Sequence, residues 1–203
     1  LQVAASEENE DCSAETRRFQ LDNGLTVLLQ EDHRVPLVSL RVSFLAGLLG
    51  EDEKTSGLAQ LASRCLLKGT STRSAAEIAD AIENSGGTLA ASAGNNTFTV
   101  AAGCLEQDLV MALDLMSDVL LRPTFPKGEI EREKVAQLAS IRSESDHLVT
   151  VAVRRLRSEL FGDHPYANAR VGSEDSVAQL SHLEAADFQN RYIAADNGVL
   201  AVF

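Results

Sequence analysis

Four histidines and three cysteines are the side chains best suited to bind a metal or act as a nucleophile, so their spacing is the first test of this chain's chemistry. His33, His147, His164 and His182 stand far apart, and no two share the i, i+4 spacing that sets paired imidazoles on one helical face. Scattered singly in polar stretches, they read as surface or capping residues. Cys12, Cys65 and Cys104 have no C-x-x-C spacing, which excludes a zinc ribbon and a dithiol redox motif and leaves room for one disulfide. Cys65 and Cys104 sit in apolar contexts and read as buried thiols. There is no G-x-S-x-G nucleophile elbow and no glycine-rich phosphate loop. Gly86-Gly87 follows a helical pattern, where C-capping accounts for it.

Charge narrows the partners further. The 203 residues carry 18 Lys and Arg against 30 Asp and Glu, a net charge of −12. Such a surface repels nucleic acid and anionic membranes unless a basic patch overcomes the field. The densest basic stretch is only Val153-Arg154-Arg155-Leu156-Arg157. With 44% apolar and 24% charged residues the composition is that of a folded globular protein. The absence of Trp leaves the core to Leu, Val, Ile and Ala. No run approaches the ~18 apolar residues of a membrane span, and the N-terminus lacks the basic flank and apolar stretch of a secretory signal.

The elements that must position any site follow from periodicity and capping. Residues 1–16 hold Glu7, Glu8, Glu10, Asp11 and Glu15 with no basic residue, and read as an acidic leader or linker. From Arg17, alternation on either side of Asp22-Asn23-Gly24 predicts two strands joined by an Asn-Gly hairpin, and residues 37–46 predict a third. A helix capped by Ser56 is expected to run to about Leu67, and a capping box at Ser74-Ala75-Ala76-Glu77 opens a second. Two strands fit residues 88–104. Helices are expected over 106–121, 126–145 and 148–161, and another after the capping box at Ser181-His182-Leu183-Glu184; a final strand covers 199–203. Strands and helices come in clusters, so the expected class is α+β: a largely antiparallel sheet with helices packed on one face. Ending on a strand, the sequence is expected to continue in a longer parent chain.

One segment carries more. GLAQLASRCLLKGT (57–70) resembles the signature helix of the pitrilysin/insulinase metallopeptidases, the inverzincins, a family that includes the mitochondrial processing peptidases. In active members that helix carries H-x-x-E-H, two zinc-binding histidines and a glutamate that activates water. FQLDNGLTVLL (19–29), Ser85-Gly86-Gly87 with Ala91, LLRPTFPKGEIEREK (120–134), FGDHPY (161–166) and VGSEDSVAQLS (171–181) resemble further family segments in family order. The resemblance spans residues 17–203 as one peptidase-type half domain.

The departures fall on the chemistry. On the family pattern Gln60 stands for the first His, Ser63 for the Glu, Arg64 for the second His and Ser140 for the third ligand, while Glu133 matches a retained Glu and Ala90 replaces an Asn near the substrate-binding edge. Gln, Arg and Ser do not make a hydrolytic zinc site, because zinc catalysis needs about three N, S or carboxylate donors and an open water position. No catalytic residue, no metal and no cofactor are therefore expected in this domain. Arg64 is expected to supply positive charge in place of zinc, pairing with Glu133 or Glu144. The resemblance implies a non-catalytic domain that pairs with an active metallopeptidase subunit or domain to form a peptide-binding chamber, with Gly47-Leu48-Leu49-Gly50 as a candidate partner surface. The alternatives are a structural scaffold like the respiratory-complex core subunits and a peptidase with an unusual metal site. A bacterial periplasm or cytoplasm would suit it.

Overall fold

The computed structural model describes residues 15–203; residues 1–14, and with them most of the acidic leader and Cys12, lie outside the described part. In chain order the elements are β1 (Arg17–Gln20), β2 (Thr26–Leu29), β3 (Leu37–Leu45), α1 (Leu58–Cys65), α2 (Ala75–Asn84), β4 (Thr88–Ala93), β5 (Thr97–Leu105), α3 (Leu109–Leu121), α4 (Lys127–Ser145), α5 (Leu148–Phe161), α6 (Glu174–Gln179), α7 (His182–Tyr192) and β6 (Gly198–Val202). Short 3-10 turns fall between several of them.

The strands form one sheet in the order β1-β2-β6-β3-β5-β4. Every pairing is antiparallel except β2 with β6, where Val27 pairs with Leu200 in parallel. Alternation sets the faces. Leu40, Val42 and Phe44 of β3 and Phe98, Val100, Ala102 and Cys104 of β5 are buried on one side, in a single core with residues of α1, α3 and α7. Phe98 meets Phe188 of α7 with ring centroids 5.6 Å apart. On the other face of β3, Ser39 and Arg41 are exposed. Arrangement and class are thus α+β with helices on one face of a mostly antiparallel sheet.

Two capping boxes form as their sequences predict, at Ser74 with Glu77 and at Ser181 with Glu184. The start of α1 differs. Gly57, not Ser56, is its first flanking residue, at φ 92°, with no cap from its own side chain. A residue at a distance takes that role, as described below. The 106–121 helix begins as a 3-10 turn over Glu106–Asp108 before α3 proper, and α6 is an additional element between 171 and 181. Cys65 and Cys104 are buried free thiols. None of the residues of α5 is buried; Leu148, Val149, Leu156 and Leu160 all face outward.

Candidate functional site

Helix α1 packs against α4 and α7, and the crossing of α1 with α4 brings together the residues that the sequence pattern singles out. Gln60 and Arg64 are half-buried on α1, while Ser63 is buried and donates its hydroxyl to Gln60 O at 2.9 Å, a bond within the helix. On α4, Glu133 faces α1. Arg64 Nη1 stands 4.0 Å from Glu133 Oε2, and Lys68 Nζ lies 3.1 Å from Glu133 Oε1. Glu133 is thus held between a cation in the last turn of α1 and one in the bend just after it. Ser140, two turns further along α4, is half-buried and outside this cluster. Glu144 is not brought to Arg64; its carboxylate takes Arg154 of α5 at 3.0 Å.

The contacts of this cluster are those of an ion pair. A guanidinium stays protonated and cannot ligate a dication. Among the described residues no group of three His, Cys, Asp or Glu side chains is placed to hold a metal ion. Burial first, and then the Glu133 charge, push the Cys65 thiol up to about 12, so this thiol is held as an inert SH group. The histidines stay apart: His33 is exposed beside Glu31, and His164 Nδ1 accepts the Tyr166 N–H as a turn cap.

Two residues that sequence reasoning missed fix α1 in place. Glu51 is buried, and its carboxylate accepts the Gly57 N–H at 2.9 Å and the Ala59 N–H at 2.7 Å. It caps the helix from outside it, satisfying donors that no helical partner reaches. Burial outweighs these two bonds and raises the Glu51 carboxyl to about 7, with the neighbouring Asp52 charge adding to the rise. Gln137 of α4 is fully buried, and its Nε2 donates to Gly57 O at 3.0 Å and to Val171 O at 2.9 Å. One amide therefore ties α4, the start of α1 and the 171 segment together. Gly57 is required there: a Cβ would sit 2.8 Å from Val171 O and 2.9 Å from Gln137 Nε2.

The far end of α1 is anchored as firmly. Asp118 of α3 is fully buried and accepts the hydroxyls of Thr70 at 2.6 Å and Thr72 at 2.7 Å, and Arg73 Nη1 at 3.0 Å. Arg122 Nε stands 2.9 Å from the other oxygen as an ion pair, off the line of a hydrogen bond. Burial alone would raise the Asp118 carboxyl, but these donors together hold it below the usual carboxylate range. In the 47–50 segment, Leu48 turns into the core while Leu49 stays exposed. Gly47, at φ 92°, lies so close to Gly94 O that a Cβ would fall 2.4 Å from it, so close packing of the turn, rather than a free surface, accounts for that glycine.

With this geometry in place, the chain can be set beside known proteins. The insulinase (peptidase family M16) model matches residues 26–174. The chain belongs to that family. An uncharacterised zinc protease of Mycobacterium leprae is 30% identical over 190 residues, which cover 94% of this chain and 43% of the relative. Bovine cytochrome b-c1 complex subunit 1, a mitochondrial protein, is 26% identical over 187 residues, covering 92% of this chain and 39% of that one. Among solved structures, the crystal structure of a peptidase M16 inactive domain from Pseudomonas fluorescens superposes with a TM-score of 0.88 at 27% identity, covering 93% of this chain and 46% of that one. The M16 chain thus spans less than half the length of these relatives.

Proposed function

We infer that this chain is a non-catalytic M16 domain that works beside an active subunit or domain of the same family, lining a peptide-binding chamber whose chemistry is done elsewhere. The observation that carries this reading is the ion pair where the family pattern would set a metal. Gln60, Arg64 and Ser140 occupy the three ligand positions and Ser63 that of the water-activating Glu, which makes the zinc motif degenerate. Arg64 Nη1 at 4.0 Å and Lys68 Nζ at 3.1 Å from Glu133 supply positive charge to a carboxylate that would otherwise be left half-buried and unpaired. Zinc does not fit that donor set, so no hydrolytic step is assigned to this domain. The likeness to an inactive M16 domain supports the same reading.

The test is co-purification from the native host. An active partner is expected to carry an intact H-x-x-E-H, and unfolded peptides are expected to be cleaved only when both components are present. Cleavage by the partner alone at the same rate would overturn the reading. It would favour the second one, a structural scaffold with no part in proteolysis, which the likeness to a cytochrome b-c1 subunit supports. Stoichiometric zinc in protein purified without chelator would instead favour a peptidase with an unusual metal site. A periplasmic or cytoplasmic location is part of the same proposal; among the described residues no helix is long and apolar enough to cross a membrane.

A further inference from the structure

The densest basic stretch of this acidic chain lies on α5, and the fold gives it a cavity. A hollow of about 370 Å³ opens between α5 and residues 167–171, within the ~300–1,000 Å³ range of small-ligand sites. Positions 149, 153 and 157 of α5 line it at helical spacing, so Val149 and Val153 give apolar wall while Arg157 stands one turn beyond them. Arg154 and Arg170 also line it, and Glu144 is the one acid among the lining residues. Three arginines against one glutamate leave a local excess of two positive charges in a chain whose net charge is −12.

The guanidinium donors are only partly used. Arg154 Nη2 is taken by Glu144 at 3.0 Å. Arg157 donates through Nε to Tyr166 O at 3.2 Å, which holds its planar fork in place and leaves both terminal amino groups without a partner. Arg170 makes neither a hydrogen bond nor an ion pair among the described residues. Such forks match a carboxylate or phosphate in bidentate geometry. The valine walls favour a ligand that carries apolar surface beside its charge over a bare hydrated ion, and the −12 overall charge disfavours an extended polyanion. We propose that this cavity binds a peptide carboxylate flanked by an apolar side chain, supplied by an acidic residue or by a chain terminus. The site stands whether or not the chain pairs with an active partner.

The experiment is fluorescence anisotropy on the full chain with three labelled peptides: one with an internal glutamate between two leucines and an amidated end, the same with glutamine, and the glutamine peptide with a free C-terminal carboxylate. At least one carboxylate peptide is expected to bind about tenfold tighter than the neutral one; which of the two does so identifies the source. Arg170→Glu, at a residue with no partner to lose, is expected to abolish that difference. Arg157→Gln should reduce it to about threefold, and Arg155→Gln, whose side chain pairs with Glu159 outside the cavity, should leave it unchanged. Equal binding of all three peptides, binding of none, equal loss with Arg155→Gln, or displacement by inorganic phosphate at concentrations as low as those of the peptide would each overturn the proposal.

Discussion

Lys68 Nζ lies 3.1 Å from Glu133 Oε1, closer than Arg64, whose Nη1 stands 4.0 Å from the other oxygen of the same carboxylate. Arg64 lies in the last turn of α1 and Lys68 in the bend just after it, so one carboxylate of α4 bridges both. The shorter contact belongs to Lys68, which is not one of the four altered motif positions. Double-mutant cycles in urea are expected to give Lys68–Glu133 a coupling of about 0.5 kcal/mol, the lower part of the range for pairs this open to solvent, and Arg64–Glu133 a smaller one. A larger Arg64 coupling would show that the guanidinium, not the ammonium, is the principal counter-ion.

Asp118 gathers two hydroxyls and two arginines at a site without solvent. Removing it takes the acceptor from the Thr70 and Thr72 hydroxyls and leaves Arg73 with Asp114 alone, so Asp118→Ala is expected to cost about 3 kcal/mol in urea unfolding, against about 1 kcal/mol for Thr70→Val. Because the folded carboxyl is held below its unfolded value, this contribution persists above the unfolded pKa and is lost only as pH falls through the folded one. Hydrogen exchange should quicken first at residues 70–73. An Asp118→Ala protein as stable as the parent would mean that the loop after α1 is held by other contacts.

Glu51 predicts the opposite pH trend. Its folded pKa is raised to about 7 from 4.5, so its contribution to stability is full below the unfolded value and is lost as pH rises through the folded one. Between pH 4.5 and 8 the parent is expected to lose about 3 kcal/mol that Glu51→Gln does not lose. Unfolding both proteins across that range isolates the group, since the lowered carboxyls of Asp118 and Glu184 are common to both. Parallel stability curves would show that Glu51 is ionised throughout and acts as a permanent charge at the helix N-terminus.

How much of this is legible in the chain depends on distance. The caps at Ser74 and Ser181 are local, three residues from their partners, and the β3 alternation is its own record of which side is buried. Glu51 lies six and eight residues from the donors it caps, across a turn whose path no periodicity reveals, so Ser56 was the natural but wrong cap. Helix α6 spans only Glu174–Gln179, too short for a 3.6-residue pattern to register. The parallel pairing of β2 with β6 joins residues 26–29 to 199–202, and no hairpin signal exists for such a pair. At the site, residue types at 60, 63, 64 and 140 are plain in the sequence. The preference of Glu133 for Lys68, and of Glu144 for Arg154, is set by how α4 crosses α1 and α5, which only the fold decides.

If the scaffold is that of a zinc domain whose ligands alone have changed, returning the ligands should return the metal. Gln60 and Arg64 are four residues apart on one face of α1, the i, i+4 spacing that pairs imidazoles, and α4 runs past that face. The triple substitution Gln60→His, Arg64→His and Ser140→Glu supplies two nitrogen donors and one carboxylate, and leaves Glu133 with Lys68 as its counter-ion. Ser63 is kept, because a glutamate in its buried place would cost stability without serving the metal as a ligand. The variant is expected to bind about one zinc per chain after dialysis and to unfold at a higher temperature when zinc is added, while the parent does neither. Retaining Ser140 leaves two donors, and that zinc should be lost on dialysis. Elemental analysis and thermal unfolding read both outcomes, and a triple variant with no more zinc than the parent would mean that α1 and α4 no longer hold the spacing of a metal site.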